Sequence, residues 1–224
     1  MTTTETSLDT VFAQLAGATE DYVGAILELT DREKTFLRVT ADVCQGTFGL
    51  PFTAHVRTGL AAGVSTADVR ALLRFVSYDC GYHAAAAGLE RLADVEAELG
   101  IARPDAEPLD PELLTPGPSP LPDAVRARLD ELDAHFTGFF DLQSRMRAGH
   151  GPGTLSERER GLVSLSVDVH YQTLADTFRT HVGRALRGGA SPEDVRAALR
   201  FNAQFGVTRA WHAWEALNPI LADS

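Results

Sequence analysis

Two stretches of the chain decide its fold, because they are two versions of one pattern. Residues 29–75 read LTDREKTFLRVTADVCQGTFGLPFTAHVRTGLAAGVSTADVRALLRF, and residues 155–201 read LSERERGLVSLSVDVHYQTLADTFRTHVGRALRGGASPEDVRAALRF. The match continues to residues 92 and 218 without a gap, at a constant offset of 126, and about a third of the 64 aligned positions are identical. Turn residues keep the register as well as apolar ones. We therefore predict a tandem duplication of one unit.

Each copy contains the residues that begin and end helices. A hydroxyl followed three residues later by Glu is a capping box, a later Ser caps another helix, and a glycine between them ends the helix before it. These signals are Thr30, Gly63 and Ser65 in the first copy and Ser156, Gly189 and Ser191 in the second. They predict four helices in each copy. Because the β-branched alternation typical of strands is absent, the predicted fold class is all-α.

A proline-rich segment separates the two copies. Seven of the eleven prolines lie within residues 104–122, and such a run favours an extended, semi-rigid tether. We predict a first unit over 1–103, a linker over 104–122 and a second unit over 123–224. Each unit is expected to begin with a leading helix, at about 8–29 and at about 123–148.

The composition is that of a globular protein and argues against two classes of partner. Hydrophobic residues make up 44% of the chain, charged residues 23%, and the formal net charge is −11 with a pI near 5.0. Nucleic acids need a basic surface, whereas the arginines here are scattered among more numerous carboxylates. No apolar run approaches the ~18 residues of a membrane span, and the first residues lack the pattern of a secretory signal. Because the chain also has only two cysteines, we expect a cytoplasmic protein. We expect it to have neither nucleic-acid nor membrane partners.

The repeated motifs resemble those of a known family. A capped helix start before Arg-Glu, a His in the second helix and a Gly-x-Ser-x-x-Asp-Val turn are together similar to the carboxymuconolactone decarboxylase family, which includes the alkylhydroperoxidase D-like proteins. The resemblance implies two all-α bundles of this kind and a small-molecule substrate. It also implies a homo-oligomer. By analogy with a ring of six single units we expect a trimer of fused pairs, with a dimer as the alternative.

The redox branch of that family is not matched. Its motif, Cys-x-x-Cys-x-x-x-His, would place thiols at Phe48 and Pro51 in the first copy and at Leu174 and Thr177 in the second. A thiol peroxidase needs a thiolate with a resolving partner. We therefore predict that the protein is not a thiol peroxidase. The two cysteines, Cys44 and Cys80, are interpreted as inert thiols among apolar neighbours.

The matched histidines are the first candidates for chemistry. His55 and His181 lie on the same apolar stripe of the second helix, where a buried His that fixes helix packing is the alternative to a general acid–base. Asp42 and Asp168 are matched as well. A surface ion pair with Arg38 explains Asp42, whereas Asp168 is equally consistent with a residue that orients a His.

The second copy carries further polar side chains that the first copy lacks. Taken singly each is explained by a solvated surface, but together they favour the second copy, or the interface it makes, as the active one. His181, His55, Asp168, Tyr171 and His170 are the catalytic candidates, and Arg179, Arg209 and His212 are the substrate-binding candidates. The matched arginine pairs 70/74 and 196/200 are interpreted as solvated surface.

The resemblance and these residues predict a lyase or decarboxylase that needs no cofactor or metal. It would act on a small organic acid or lactone through His-mediated acid–base chemistry. Three alternatives remain: a related isomerase or cyclase of secondary metabolism, a redox protein that uses Cys44 or Cys80 in a non-standard arrangement, and a non-catalytic ligand-binding module.

Overall fold

The computed structural model describes residues 9–105, 108–149 and 154–222, and these contain eleven α-helices and no strand. In chain order they are α1 (Thr10–Gly24), α2 (Asp31–Gln45), α3 (Leu50–Ala61), α4 (Thr66–Cys80), α5 (Tyr82–Leu99), α6 (Asp123–Leu132), α7 (Ala134–Gly149), α8 (Glu157–Tyr171), α9 (Asp176–Arg187), α10 (Pro192–Asn202) and α11 (Val207–Ala222). The all-α prediction is confirmed. The N-terminal residues used to argue against a secretory signal lie mostly outside the described part.

The helix boundaries recur at the repeat offset because the same caps set them. α2 and α8 begin 126 residues apart, and so do α3 and α9. At Thr30 the backbone N–H donates to Glu33 Oε2 at 2.8 Å, and at Ser156 it donates to Glu159 Oε2 at 2.7 Å. Both predicted capping boxes are therefore present, and each satisfies backbone donors that the first turn leaves unpaired.

The leading helices differ from their prediction. α1 is shorter than expected and ends at Gly24. The leader of the second unit is two helices, because Asp133 is extended at φ −168° and ψ 114° and interrupts the run. The Asp133 carboxylate accepts from the backbone N–H groups of His135 and Phe136, at 2.7 and 3.0 Å. This local bond offers the backbone an alternative to a continuous helix, and α7 begins there instead.

The two copies pack against each other along α2 and α8 and share their apolar cores. Leu37 of α2 is buried in the cluster built by α8–α11. In the opposite direction, Leu155 and Val163 are buried in the cluster built by α2–α5. Each copy therefore covers apolar surface that the other would expose to water.

Ion pairs across this contact are reciprocal. Arg32 Nε lies 2.6 Å from Glu159 Oε1, and Arg158 Nε lies 2.6 Å from Glu33 Oε1. The second pair replaces each residue of the first by its counterpart in the other copy, Arg32 by Arg158 and Glu159 by Glu33. This is the arrangement that a two-fold axis produces between identical subunits, here within one chain. No helix in the described part of the chain has the length and apolarity to cross a bilayer.

Candidate active site

In the second unit, a buried carboxylate on α8 holds a histidine on α9. His181 Nδ1 lies 2.6 Å from Asp168 Oδ2, and the other carboxylate oxygen accepts from Thr173 Oγ1 at 2.6 Å. Asp168 lies on α8, His181 on α9 and Thr173 in the turn between them. The crossing of these two helices therefore sets the geometry.

The first copy contains the same arrangement. His55 Nδ1 lies 2.7 Å from Asp42 Oδ2, and Thr47 Oγ1 donates to Asp42 Oδ1 at 2.8 Å. Asp42 is 2% exposed, so its interpretation as half of a surface ion pair is wrong. Arg38 bonds Glu20 on α1 instead, at 2.6 Å.

The carboxylate selects which nitrogen of each imidazole is available. Because an ionised carboxylate only accepts, Nδ1 of the ring donates to it and carries the proton. Nε2 is then the nitrogen that can take up or release a proton, and the imidazolium formed is stabilised by the carboxylate behind it. The side chains of His55 and His181 are 19% and 16% exposed, so both rings are partly accessible to solvent.

The residue that faces each His–Asp pair differs between the copies. Near His181 and Asp168 the opposite copy supplies Asp79, whose carboxylate accepts from Arg147 Nη2 at 2.9 Å. Burial raises the pKa of Asp79, the neighbouring Asp168 raises it further, and the charges of Arg147 and His181 oppose that rise. Near His55 the counterpart of Asp79 at the offset of 126 is Phe205, whose ring centroid lies 6.3 Å from that of the imidazole. The second site is therefore the more polar one.

The two cysteines, interpreted from the sequence as inert thiols, lie next to each other in the structure. Cys44 Sγ and Cys80 Sγ lie 3.6 Å apart, and both residues are partly exposed. The nearby Tyr171 hydroxyl acts to lower the pKa of both thiols. A hydrogen bond from Cys44 lowers the pKa of Cys80, and that same bond raises the pKa of Cys44. Partial burial and the two sulfurs raise the pKa of Tyr171.

The remaining candidates of the second copy are spread over several surroundings. His170 is buried beside Phe205, with ring centroids 5.8 Å apart, and burial lowers its pKa to about 4. Arg209 Nη2 donates to the Phe205 carbonyl at 2.6 Å. Because Phe205 lies beside His55, His170 and Arg209 are both on the His55 side of the molecule. His212 is exposed and its Nδ1 lies 2.9 Å from Gln172 Oε1, while Arg179 is on the exposed face of α9.

Sequence reasoning missed three residues of these sites. Thr47 and Thr173 are identical in the two copies, so the repeat itself contained a signal for them. Asp79 had no such signal, because its counterpart is Phe205.

The interpretation of Arg70 and Arg74 as solvated surface is wrong: both are half-buried, and Arg70 Nε donates to the buried Glu96 at 3.0 Å. Among the described residues there is no group of three or more His, Cys, Asp or Glu side chains that could hold a metal ion.

The described residues form an all-helical fold in which a buried carboxylate holds one histidine on the second core helix of each copy. Residues 135–219 match the profile of the Carboxymuconolactone decarboxylase family. The resemblance to this family is thereby confirmed over that part of the chain, which contains both His181 and Asp168.

A solved structure is similar over the whole length. It is the crystal structure of a proposed gamma-carboxymuconolactone decarboxylase subunit from Burkholderia xenovorans LB400, 20% identical, with a TM-score of 0.55 and coverage of 100% of this chain and 90% of that one. At that identity the likeness shows the fold. No curated protein matches this chain.

Proposed function

We propose that the chain is a carboxymuconolactone decarboxylase-type lyase that acts on a small organic acid or lactone at the His181–Asp168 pair without a cofactor. The observation that carries the proposal is the 2.6 Å contact between His181 Nδ1 and Asp168 Oδ2, with the raised pKa of Asp79 beside it. A His with a fixed tautomer next to a carboxyl group of raised pKa is typical of general acid–base sites.

In the proposed reaction the bond between the substrate's carboxylate and its α-carbon breaks and carbon dioxide leaves. The electron pair stays on the α-carbon and is delocalised as an enolate into a substrate carbonyl group bonded to that carbon. The enolate carbon then takes a proton from Nε2 of the His181 imidazolium, which becomes neutral imidazole. Asp168 is a positioning residue, since it holds Nδ1 and stabilises the cation before transfer. Arg179, the sequence candidate for binding the substrate anion, is on the exposed face of α9. Residues two apart on a helix do not face each other, so it is not assigned to the His181 site.

The test begins with a panel of small carboxylates and lactones, with carbon dioxide release and proton exchange at the α-carbon measured separately. On a substrate that turns over, His181→Ala is expected to lower kcat by about 100-fold or more. His55→Ala is the matched control, since it removes the same kind of pair beside Phe205, and a smaller loss is expected. If both variants retain full turnover, the acid–base scheme is wrong.

Two observables separate this reaction from its neighbours. A related isomerase or cyclase would use the same groups but release no carbon dioxide. A non-catalytic binding module would retain a ligand without turnover in the wild type. Asp168→Asn is expected to lower kcat while leaving KM nearly unchanged, because the carboxylate acts through the imidazole rather than on the substrate.

A redox role is the second candidate, and one observation favours it. Cys44 Sγ and Cys80 Sγ are 3.6 Å apart and Cys80 has the lowered pKa, which suits a thiolate with a nearby partner. This hypothesis expects rapid alkylation of Cys80 at neutral pH and loss of activity in a Cys44→Ser/Cys80→Ser double variant. Slow alkylation together with full activity of that variant would exclude it.

A further inference from the structure

A cavity of about 600 Å³ has a lining that contains neither of the two histidines. It opens to solvent and is lined by one face of α4, by α7 and by Pro104, Asp105, Leu109 and Leu114. Three arginines line it, Arg70, Arg74 and Arg147, and neither His–Asp pair does. Three guanidinium groups around one cavity are unexpected in a chain with a net charge of −11.

Two of the three arginines are neutralised by the protein. Arg70 bonds the buried Glu96, and Arg147 bonds Asp79 at 2.9 Å. For Arg74, by contrast, the described residues supply no carboxylate within 4.0 Å. Its Nε, like that of Arg147, is buried without a hydrogen-bond partner. A half-buried guanidinium left in this state is costly, because it gives up water without gaining an anion.

The other copy shows what the missing partners would be. Arg200, the counterpart of Arg74, bonds Glu28 at 2.7 Å and Glu193 at 2.8 Å. Shifted by 126 residues, those two glutamates correspond to Thr154 and Ala67, and both of these line the cavity. The cavity is therefore the place where the first copy lacks the carboxylates that neutralise the same arginine in the second.

We propose that this cavity binds a small organic monocarboxylate, with its carboxylate on Arg74 and its apolar body against the remaining wall. Tyr78, Leu114 and Met146 line that wall, and the volume is within the usual range of ligand pockets. A single charge fits better than a phosphate, because only one arginine is uncompensated and the exposed Asp105 also lines the cavity.

Isothermal titration of the free protein with benzoate tests the proposal, with benzamide as the neutral isostere and inorganic phosphate as the competing anion. Benzoate is expected to bind at least about tenfold more tightly than benzamide or phosphate. Arg74→Gln is expected to weaken benzoate at least about tenfold, as for the loss of a charge-assisted hydrogen bond. Arg200→Gln is the matched control and should leave the affinity within about twofold.

A second variant keeps Arg74 and supplies it with a carboxylate from the protein. Ala67→Glu introduces the carboxylate of the second copy and should abolish benzoate binding, whereas Asp105→Asn should strengthen it. Circular dichroism checks that each variant is folded. If Arg74→Gln does not fold, the result for Ala67→Glu decides the proposal. The proposal is overturned if no benzoate binding is detected at millimolar concentration, if phosphate or benzamide binds as tightly, or if neither variant at positions 67 and 74 changes the affinity. Because no turnover is measured, this outcome is independent of the His181 mechanism.

Discussion

Gly161 lies where α8 crosses α9, and this crossing positions Asp168 against His181. A Cβ at Gly161 would lie 2.4 Å from Cα and 2.5 Å from the backbone N of Ala185. In the first copy the roles are exchanged: Thr35 occupies the position of Gly161, and Gly59 occupies that of Ala185, where a Cβ would lie 2.3 Å from Thr35 Cγ2. Each crossing thus accepts a side chain from only one of its two helices.

We predict that Gly161→Ala destabilises the protein even though alanine is the better helix former. The gain in helix propensity is at most about 1 kcal/mol. Overpacking a core costs about 1–3 kcal/mol, and the upper part of that range applies because the neighbours are backbone atoms that cannot rotate away. A net loss of roughly 1–2 kcal/mol in the free energy of unfolding follows. Urea denaturation followed by circular dichroism measures it, with an unchanged slope expected.

Two further variants make the reasoning refutable. Gly138→Ala on α7 is the matched control, because no atom lies within 4 Å of its added Cβ; it should be neutral or stabilise by up to about 1 kcal/mol. In the double variant Gly161→Ala/Ala185→Gly the exchange seen in the first copy is reproduced, so the combined loss should be smaller than the sum of the single losses. If Gly161→Ala is as stable as the wild type, the close approach of the two helices does not limit this position.

Three other predictions concern charge and assembly. Burial holds the pKa of His170 near 4, so as pH falls the unfolded chain protonates this imidazole before the folded protein does. The free energy of unfolding should therefore fall by up to about 3 kcal/mol as pH drops from 6.5 to 4. His170→Asn should flatten that part of the pH–stability curve. Arg158→Gln should lower the free energy of unfolding by roughly 1.5–3 kcal/mol, because it leaves the buried Glu33 without its partner from the other copy. Arg128→Gln, which breaks the exposed pair with Asp176, should change it very little in the same urea titration. Light scattering should give three times the 24.1 kDa chain mass, and a monomeric mass would remove the trimer.

Features that depend on neighbours in the sequence were predicted well. The capping boxes, the glycines that end α3 and α9, and the all-α class follow from bonds within one turn of helix, and their residues are visible in the chain itself. The matched histidines were found in the same way, since a repeat marks positions that both copies share. The break at Asp133 was not predicted, because a short polar residue can either continue a helix or end it. The end of α1 at Gly24 was not predicted either.

The chain by itself determined the helices, their register at an offset of 126 and the positions of His55 and His181. Only the tertiary structure decided what surrounds them. Asp42 was misread because Arg38, one turn earlier, was a sufficient local partner, whereas the packing of α3 on α2 buries Asp42 against His55. Asp79 near His181, the proximity of the two thiols and the uncompensated Arg74 likewise depend on contacts between helices distant in sequence. Local bonds set where helices begin and end, but burial and charge compensation are properties of the packed molecule.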